Sequence, residues 1–521
     1  MFGKKTLEKN MRFSKSVLWN YQMQYFANQG INAWTGQVPF FVTSNPNIGI
    51  TYAKVMFAYI KDMVQQNQYD QSQPFYILEL GTGAGKFSFY CLQKLSELIE
   101  FEFGNKIKFC YIMSDFTMSN IEFWQQQPQL QAFKTAGMLD FACIDMLEFT
   151  ELKLLNTNKT LTTQDLTNGL MVAGNYIFDT VPHDAFAVQN GRLFESRCEV
   201  TTTSANLKGK LPQNLEKLEV SFAKSLLKSH YPEYDKNLQQ VVNEYKEKLH
   251  DTHLLIPIAG IKFLEKLADL AAQRLLLIST DKGVTDLSEI EGRGAPHVAF
   301  HGSFSMMVNF HAMVRYNELQ GGSAALQPCH NGIKTIVMAR GFEIKAMPWL
   351  AREVATSIQD NSPAQFFHMH RFLRQNPISY GVDVMIPYLI NSHWDPYVFA
   401  LLHKNLLERL SQIPARHLKI LDAGMSKIAD KIYDMPGDKD PWSLIAMYFI
   451  LRDLPEQAKF YANKSIEHKG EGSENLIQLG TAILAEKDYE SAIKYLQRAR
   501  DLGADADKIN QLLRLAQAGL A

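Results

Sequence analysis

Tyr76-Ile-Leu-Glu-Leu-Gly-Thr-Gly-Ala-Gly-Lys86 reads as a strand, a glycine turn and the start of a helix. The apolar run carries one acid, Glu79, near its end, and FSFYCLQKLSELI after the glycines has helical spacing. Gly81, Gly83 and Gly85 let the backbone turn sharply and approach a ligand with no side chain in the way. Their spacing excludes two nucleotide motifs. A dinucleotide fold wants G-x-G-x-x-G and a P-loop wants G-x-x-x-x-G-K-[ST], whereas here Lys86 is followed by Phe87 and three residues separate Gly81 from Gly85.

On both sides of this stretch the pattern divides into three regions. Residues 1–73 are mixed, with a helix expected over 52–65 and a polar break, QQNQYDQSQP, ending at Pro74. From 74 to 345, the strand-like runs FYILEL, KFCYIMSD, LDFACID, GLMVAGNYIFD, RLLLIST and IKTIVMA alternate with helical stretches, which predicts an α/β fold with a parallel sheet. Residues 213–252 look helical and polar and are expected as an insertion in it. From 346 to 521 the chain reads as helix after helix. Trp442, Ile445, Ala446, Phe449, Ala458, Ala462 and Ser465 align with Leu476, Leu479, Gly480, Ile483, Ala492, Leu496 and Ala499, each pair 34 residues apart. That is the tetratricopeptide (TPR) period, and the second copy is similar to its consensus. Two such repeats cannot bury a core alone, so the helices over 396–432 are expected to precede them or the array to lean on the α/β part.

Composition sets the outer limits. At about 150 residues per domain, 521 residues allow about three domains. Hydrophobic residues at 46% and charged residues at 21% are globular values, which excludes a disordered chain. With 53 basic and 54 acidic residues the net charge is -1, so no long-range field recruits nucleic acid. Five scattered cysteines with no C-x-x-C pair suggest neither a disulfide framework nor structural zinc. The N-terminus lacks the apolar core of a signal peptide, and runs such as LIAMYFIL at 444–451 are far too short to span a bilayer. A cytoplasmic protein with no membrane partner is expected.

The glycine stretch resembles motif I, E/D-x-G-x-G-x-G, of the class I S-adenosylmethionine (SAM) methyltransferases, read here from Glu79 through Thr82 to Gly85. The resemblance implies a Rossmann-like methyltransferase sheet with SAM as cofactor, followed here by the all-α TPR-like region. Its expected companions come in order. KFCYIMSD ends in Asp115-Phe116, where an ionised carboxylate suits the ribose hydroxyls; a helix-capping role for Asp115 can coexist with that one. LDFACID ends in Asp145-Met146, where the family reads adenine with an acceptor and an apolar face; the plainer reading is a strand-end acid. Asn175-Tyr-Ile-Phe-Asp-Thr-Val-Pro182 is similar to the N-E-x-F-D-x-L-P segment of the MidA group, which includes a mitochondrial complex I assembly factor that methylates a protein arginine. The segment over 40–49, with Thr43 and Ser44, is similar to a family stretch that packs against the cofactor, so residues 1–73 are expected as an N-terminal helical cap on the cofactor site, and HGSFSMMVNF at 301–310 sits where the family has G-D-L-T-x-H-V-D-F. The resemblance covers residues 20–345.

The departures matter as much. The family's glutamate is Tyr176, although Asn175, Phe178, Asp179 and Pro182 match; its D-Y-G reads Asp281-Lys-Gly283, and three charged or titratable positions read Ser303, Met307 and Asn309. An arginine acceptor is a guanidinium that carboxylates orient, so these losses weaken the arginine reading and leave SAM binding intact. Asp179 is the expected catalytic residue that orients the acceptor, with Tyr176 a hydrogen-bonding wall in place of the glutamate. His297, His301 and His311 are expected to be structural or to line a pocket, since no acidic third metal ligand accompanies them. No G-x-S-x-G elbow supports a hydrolase. The expected function is methyl transfer to a protein acceptor, with the TPR-like helices gripping a partner and a homodimer allowed. A SAM-binding scaffold and a small-molecule methyltransferase are the alternatives.

Overall fold

The computed structural model describes residues 4–34, 41–203, 215–227, 229, 231–328 and 332–520. The chain divides into two compact units, Met1–His368 and Met369–Ala521. The first holds thirteen strands in its two main sheets: β1 (Lys5–Met11), β2 (Phe75–Leu80), β3 (Phe109–Asp115), β4 (Leu139–Cys143), β5 (Leu170–Asn175), β6 (Asp184–Gln189), β7 (Arg192–Thr202), β8 (Leu218–Leu226), β9 (Asp251–Ile256), β10 (Leu275–Val284), β11 (Ser323–Leu326) and β12 (Ile333–Arg340), with the two-residue strand Val308–Asn309 parallel to the end of β10.

The central sheet runs β11-β12-β10-β5-β2-β3-β4, parallel except where β12 reverses against β10 and β11. All six residues of β2 and all seven of β3 are buried, as continuous apolar runs in a parallel sheet require. The chain goes from β2 outward to β3 and β4 and then returns to the other side of β2 as β5. A topological switch point therefore opens at the carboxyl ends of β2 and β5, where α/β sheets bind ligands. This is the Rossmann-like α/β architecture, followed by an all-helical C-terminal unit.

A second, antiparallel sheet was not anticipated as a unit. It runs β1-β7-β6-β9, with β8 on the other edge of β7. Residues Asn190 and Gly191, both with positive φ, make the two-residue turn between β6 and β7. The helical insertion expected over 213–252 is corrected in its first half: Leu218–Leu226 is β8, paired antiparallel with β7 from Thr202 back to Phe194. Leu218, Val220 and Phe222 recur at every second residue, the period of a strand. The second half is helical, Lys236–Lys248, burying Leu238, Val241, Val242 and Tyr245. Residues 213 and 214 lie outside the described residues.

Three helices position the switch point: α1 (Val17–Gln29), α2 (Pro46–Gln65) and α3 (Lys86–Phe103). Helix α2 starts six residues before the expected 52, because Asn45 caps it by accepting from Ile48 N at 3.1 Å and Pro46 fills the first turn. Helix α1 is held through the segment before it. Arg12 donates Nε to Asp184 at 2.6 Å, and its guanidinium lies 3.3 Å from the Tyr231 ring centroid. The buried Asp184 also accepts from Tyr234 at 2.7 Å. Within α1, Trp19 Nε1 donates to Phe13 O at 2.7 Å, and Gln22 makes two bonds to the backbone of Phe304, at 2.6 and 2.9 Å.

The boundary expected at 345/346 moves to His368. Asp62 of α2 accepts from the backbone of Trp349 at 3.2 Å and Leu350 at 2.8 Å, which ties the helix that follows to the first unit. In the second unit, Pro441–Leu451, Pro455–Lys469, Ser473–Ala485, Tyr489–Asp501 and Ala506–Leu520 pack each on the next. Of the pairs set 34 residues apart, Ile445 and Leu479, Ala446 and Gly480, Phe449 and Ile483, Ala458 and Ala492, Ala462 and Leu496, and Ser465 and Ala499 are all buried. Among the described residues no helix is long and apolar enough to cross a membrane.

The fit at the switch point is tight. A Cβ on Gly260, in the helix Ile258–Leu270, would lie 2.6 Å from the Phe178 ring. Gly260→Ala should therefore push the loop after β5 and lower stability by about 1–3 kcal/mol, the usual cost of overpacking, read as a fall in melting temperature.

Candidate active site

The glycine turn builds the first wall. Gly81, Gly83 and Gly85 have φ of 58°, 60° and 83°, conformations that L side chains rarely adopt. A Cβ on Gly81 would lie 2.7 Å from Ile177, and one on Gly83 would lie 2.8 Å from the Trp34 ring. The turn is braced against β3: Thr82 N donates to Ser114 O at 2.9 Å, and Ser114 N donates to Thr82 Oγ1 at 3.1 Å. Trp124 Nε1 adds a bond to Gly83 O at 2.9 Å. Gly85 precedes the first turn of α3.

Beside the turn lies a cavity lined by Gly81, Asp115, Phe116, Asp145 and Met146, five of the residues expected to hold cofactor. Asp115 is 7% exposed; its Oδ1 accepts from Thr117 N at 2.9 Å and Oγ1 at 2.8 Å, and its Oδ2 accepts from Asn120 at 3.0 Å. Burial pushes its pKa up and these donors oppose the shift. The carboxylate is thus held in the cavity wall in one orientation while it orders the turn before the next helix. Asp145 Oδ1 accepts from Leu147 N at 2.8 Å, so its strand-end role coexists with a place in the wall.

Sequence reasoning expects a helical cap from residues 1–73 on this site but names none of the residues of the opposite wall. Trp19, Gln22, Met23 and Phe26 of α1 line it, with Ile177, Thr180, Val181 and Pro182 of the loop after β5. The stripe at 19, 22, 23 and 26 has helical spacing and was the available signal. The cavity encloses about 660 Å³ with its open mouth and about 80 Å³ of deep space. A nucleoside therefore requires the walls to part, and α1 is an independent element on one side.

Other expected residues serve the framework. Glu79 is buried under the turn, accepting from Ser88 and, at 2.8 Å, from Tyr111 OH, and does not line the cavity. Thr82 and Gly85 brace the turn and Gly83 receives Trp34. Asn175 Oδ1 accepts from Tyr52 OH at 2.5 Å and Thr280 N at 3.2 Å, which locks β5 to α2 and β10. Thr43 and Ser44 lie in a single helical turn, Phe41–Ser44, away from this cavity. Tyr176 has φ of 50°, and its ring packs by Val42, Ile333 and Ala364, so it faces away from the cofactor wall.

Asp179 is 1% exposed. Its backbone N donates to Asp281 Oδ2 at 3.1 Å, while its own Oδ1 has no hydrogen-bond partner. Asp281 is fully buried and also accepts from Lys282 N at 2.7 Å. Burial raises both carboxyls above the ordinary range, mutual repulsion raises Asp281 further, and the nearby Lys282 ammonium pulls both back. The like charge of Asp179 makes the neutral form of Asp281 easier to reach than burial alone would.

Of the three histidines, His301 contacts Ser305 at 3.0 Å and His311 contacts Tyr245 OH at 2.8 Å. His297 lines a second cavity, described below. Among the described residues no cluster of three His, Cys, Asp or Glu could hold a metal ion.

Residues 57–288 match the model of a family described as "Putative S-adenosyl-L-methionine-dependent methyltransferase". No curated protein matches the chain. Two solved structures from Burkholderia thailandensis are similar: one is 13% identical with a TM-score of 0.37 over 64% of this chain and 88% of that one. The other, crystallised with S-adenosyl-homocysteine, is 12% identical with a TM-score of 0.36 over 62% and 94%. A magnesium protoporphyrin IX methyltransferase from Synechocystis PCC 6803 with bound SAM is 11% identical with a TM-score of 0.28 over 62% and 96%. The glycine turn, Asp115 at the end of β3 and the family match together make the chain a SAM-dependent methyltransferase whose cofactor is SAM. The residues fit that cofactor: the turn leaves no room for a side chain, and a buried carboxylate stands at the cavity wall.

Two outcomes are expected. Asp115→Ala should weaken SAM binding at least about tenfold by calorimetry, the worth of one charge-assisted hydrogen-bond pair. Glu79→Gln should stabilise the fold above neutral pH. Burial pushes the Glu79 carboxyl up to about 7 from an ordinary 4.5, so the folded state holds a proton that the unfolded state releases, and stability falls as pH rises from about 4.5 through 7. The gain at pH 8, up to about 3 kcal/mol, should vanish below pH 4 in denaturant titrations.

Proposed function

We propose that the protein transfers the methyl group of SAM to a protein acceptor in the cytoplasm, with the TPR-like helices of the second unit holding the partner that bears it. The observation that carries the catalytic part is Asp179: a buried carboxyl with an unpartnered oxygen, its backbone N–H bonded to Asp281, in the loop whose Ile177, Thr180, Val181 and Pro182 line the cofactor cavity. When bound, SAM supplies a methyl group whose carbon accepts the acceptor's lone pair as its bond to sulfur breaks and that electron pair stays on sulfur. The chain's part is to align the acceptor about 3 Å from the methyl and to take its proton. Asp179 accepts that proton, Asp281 holds Asp179 in place through its backbone N–H, and the Lys282 ammonium balances the remaining negative charge. Tyr176, expected as a hydrogen-bonding wall, acts in this reading as packing behind the loop, with Asp281 as the partner of Asp179.

The protein acceptor rests on the resemblance and on the helical repeat; an arginine acceptor finds less support. The Lys282 ammonium offsets the charge of the buried pair, and the side chains that line the adjoining cavity include no Asp or Glu. No nucleic-acid partner is proposed for a chain of net charge -1, and a homodimer through the helical unit fits the reading.

The test is transfer of labelled methyl from SAM to protein in a cell lysate, after calorimetry has established SAM binding. Asp179→Asn should keep SAM affinity within about threefold and cut transfer about 10²-fold or more, the usual worth of a general base. Wild-type transfer should rise with pH well above the ordinary carboxylate range near 4, because burial and the second carboxylate hold the pair protonated at low pH. Asp281→Asn removes the like charge and should move that rise toward lower pH. Absence of SAM binding by the intact protein would sink the enzyme reading and leave a scaffold.

A further inference from the structure

A second cavity, about 330 Å³, lies beyond the buried carboxyl pair. The pair adjoins both spaces along the chain: Asp179 lies between Ile177 and Thr180, which line the cofactor cavity, and Asp281 precedes Lys282, which lines the second, while neither carboxyl lines either space. The walls of the second are mostly apolar, from Leu254, Val284, Ile290 and the two methionines Met306 and Met307. Its charged lining is cationic. Lys282 reaches Ser305 Oγ at 3.4 Å on one side, and Arg293 stands exposed on the other.

The Lys282 ammonium acts on the buried acids Asp179 and Asp281, whose pKa values it lowers. Arg293 has no carboxylate partner among the described residues; its Nη1 contacts Met307 Sδ at 2.9 Å and its Nε donates to a backbone oxygen. The nearest acids are engaged elsewhere. Glu289 accepts from Lys334 at 2.6 Å and Thr285 N at 2.9 Å, and Glu291 accepts from the backbone of His250 at 3.0 Å and Asp251 at 3.1 Å. The residues outside the described set contain no Asp or Glu at all. Burial and Lys224 hold His253 below the ordinary imidazole range, so it is neutral at pH 7 and adds a donor or acceptor without charge. A guanidinium without a carboxylate partner among the described residues, at the mouth of an apolar cavity, selects a negative charge on an apolar body.

We propose that the second cavity is the acceptor pocket and that it takes a group with a carboxylate on an apolar stem, the carboxylate paired to Arg293 and the stem against Met306 and Met307. This deepens the methyltransferase reading and rests on it for the word acceptor. A free organic acid and the carboxyl terminus of a protein share this chemistry.

The test uses the full-length protein with methionine methyls labelled with carbon-13, and Met306→Leu and Met307→Leu to assign the two signals. Octanoate should shift both signals and bind at least tenfold more tightly than octanamide; Arg293→Gln should erase that preference while leaving the other methionine signals and SAM affinity unchanged. Equal binding of acid and amide, or silence of both methionines, would overturn the proposal. A peptide with an apolar free carboxyl terminus, set against its amidated form, distinguishes the source: tighter binding than octanoate marks a protein acceptor, and binding of octanoate alone marks a small acid. SAM titration of the same sample separates the two readings. Octanoate binding without SAM binding leaves the anion pocket standing and removes methyl transfer, whereas SAM binding with silent methionines does the reverse.

Discussion

Three positive-φ glycines between β2 and α3 are the constraint on which the site depends. The backbone there must leave the sheet, cross the switch point and enter a helix within five residues, and only residues without Cβ do so while Ile177 and Trp34 press against the turn. That contact works both ways. Ile177 belongs to the loop after β5 and Trp34 to the turn following α1, so the closeness of the glycine turn fixes where both can stand. The bonds of Thr82 and Trp124 to and from the turn make it a rigid reference. Asp115, Asp145 and Asp179, at the ends of three different strands, are placed relative to it.

Burial of acids is the second organising fact. Glu79, Asp115, Asp179 and Asp281 all lie under or beside the turn, and each is handled differently. Glu79 is satisfied by two hydroxyls and can remain protonated, so it acts as a framework group. Asp115 is surrounded by N–H and O–H donors that favour its charged form. The pair Asp179 and Asp281 receives two backbone N–H groups and one ammonium between them, too little to ionise both. One oxygen on Asp179 is left without a hydrogen-bond partner. Such an orphan costs stability in a buried site, of order 1–3 kcal/mol, and Asp179 shares this feature with other buried side chains of the protein.

Much of this was legible in the sequence. The parallel strands, their order of appearance and the residues at the ends of β3 and β4 follow from apolar runs interrupted by an acid and a glycine turn, because a parallel strand buried on both faces carries an unmistakable composition. The stretch from Leu218 to Leu226 misled for the converse reason. It lies on a half-exposed edge where lysines and serines alternate with apolar residues, and its period of two is obscured by LEKLE before it. Asn175 and Thr43 could not be placed, since a match to a motif gives a residue's position along a strand and not which neighbour its side chain meets. Helix α1 was the larger omission: its apolar stripe is short, and what brings it to the cofactor wall is the long-range pair of Arg12 with Asp184, 172 residues apart.

The two halves of the site answer to different pressures. A cofactor wall recognises one invariant molecule, and its glycines cannot change without filling the space in which that molecule lies. An acceptor wall need only match its own substrate. Ser303, Met307 and Asn309 stand where the resembling family carries charged or titratable groups; Met307 and Asn309 line the second cavity, and Ser303 is buried beside His301. With Lys282 in place of the family's tyrosine, no acid in that wall and Arg293 at its rim, the wall suits an anion rather than a cation. Coulomb attraction at partly buried sites is worth several times its value in water, so exchange of a few side chains suffices to move the preference from a cation to an anion. The methyl-transfer apparatus can stay fixed through such a change, because it asks of the acceptor only a lone pair, a proton to give up and a place close to the methyl group.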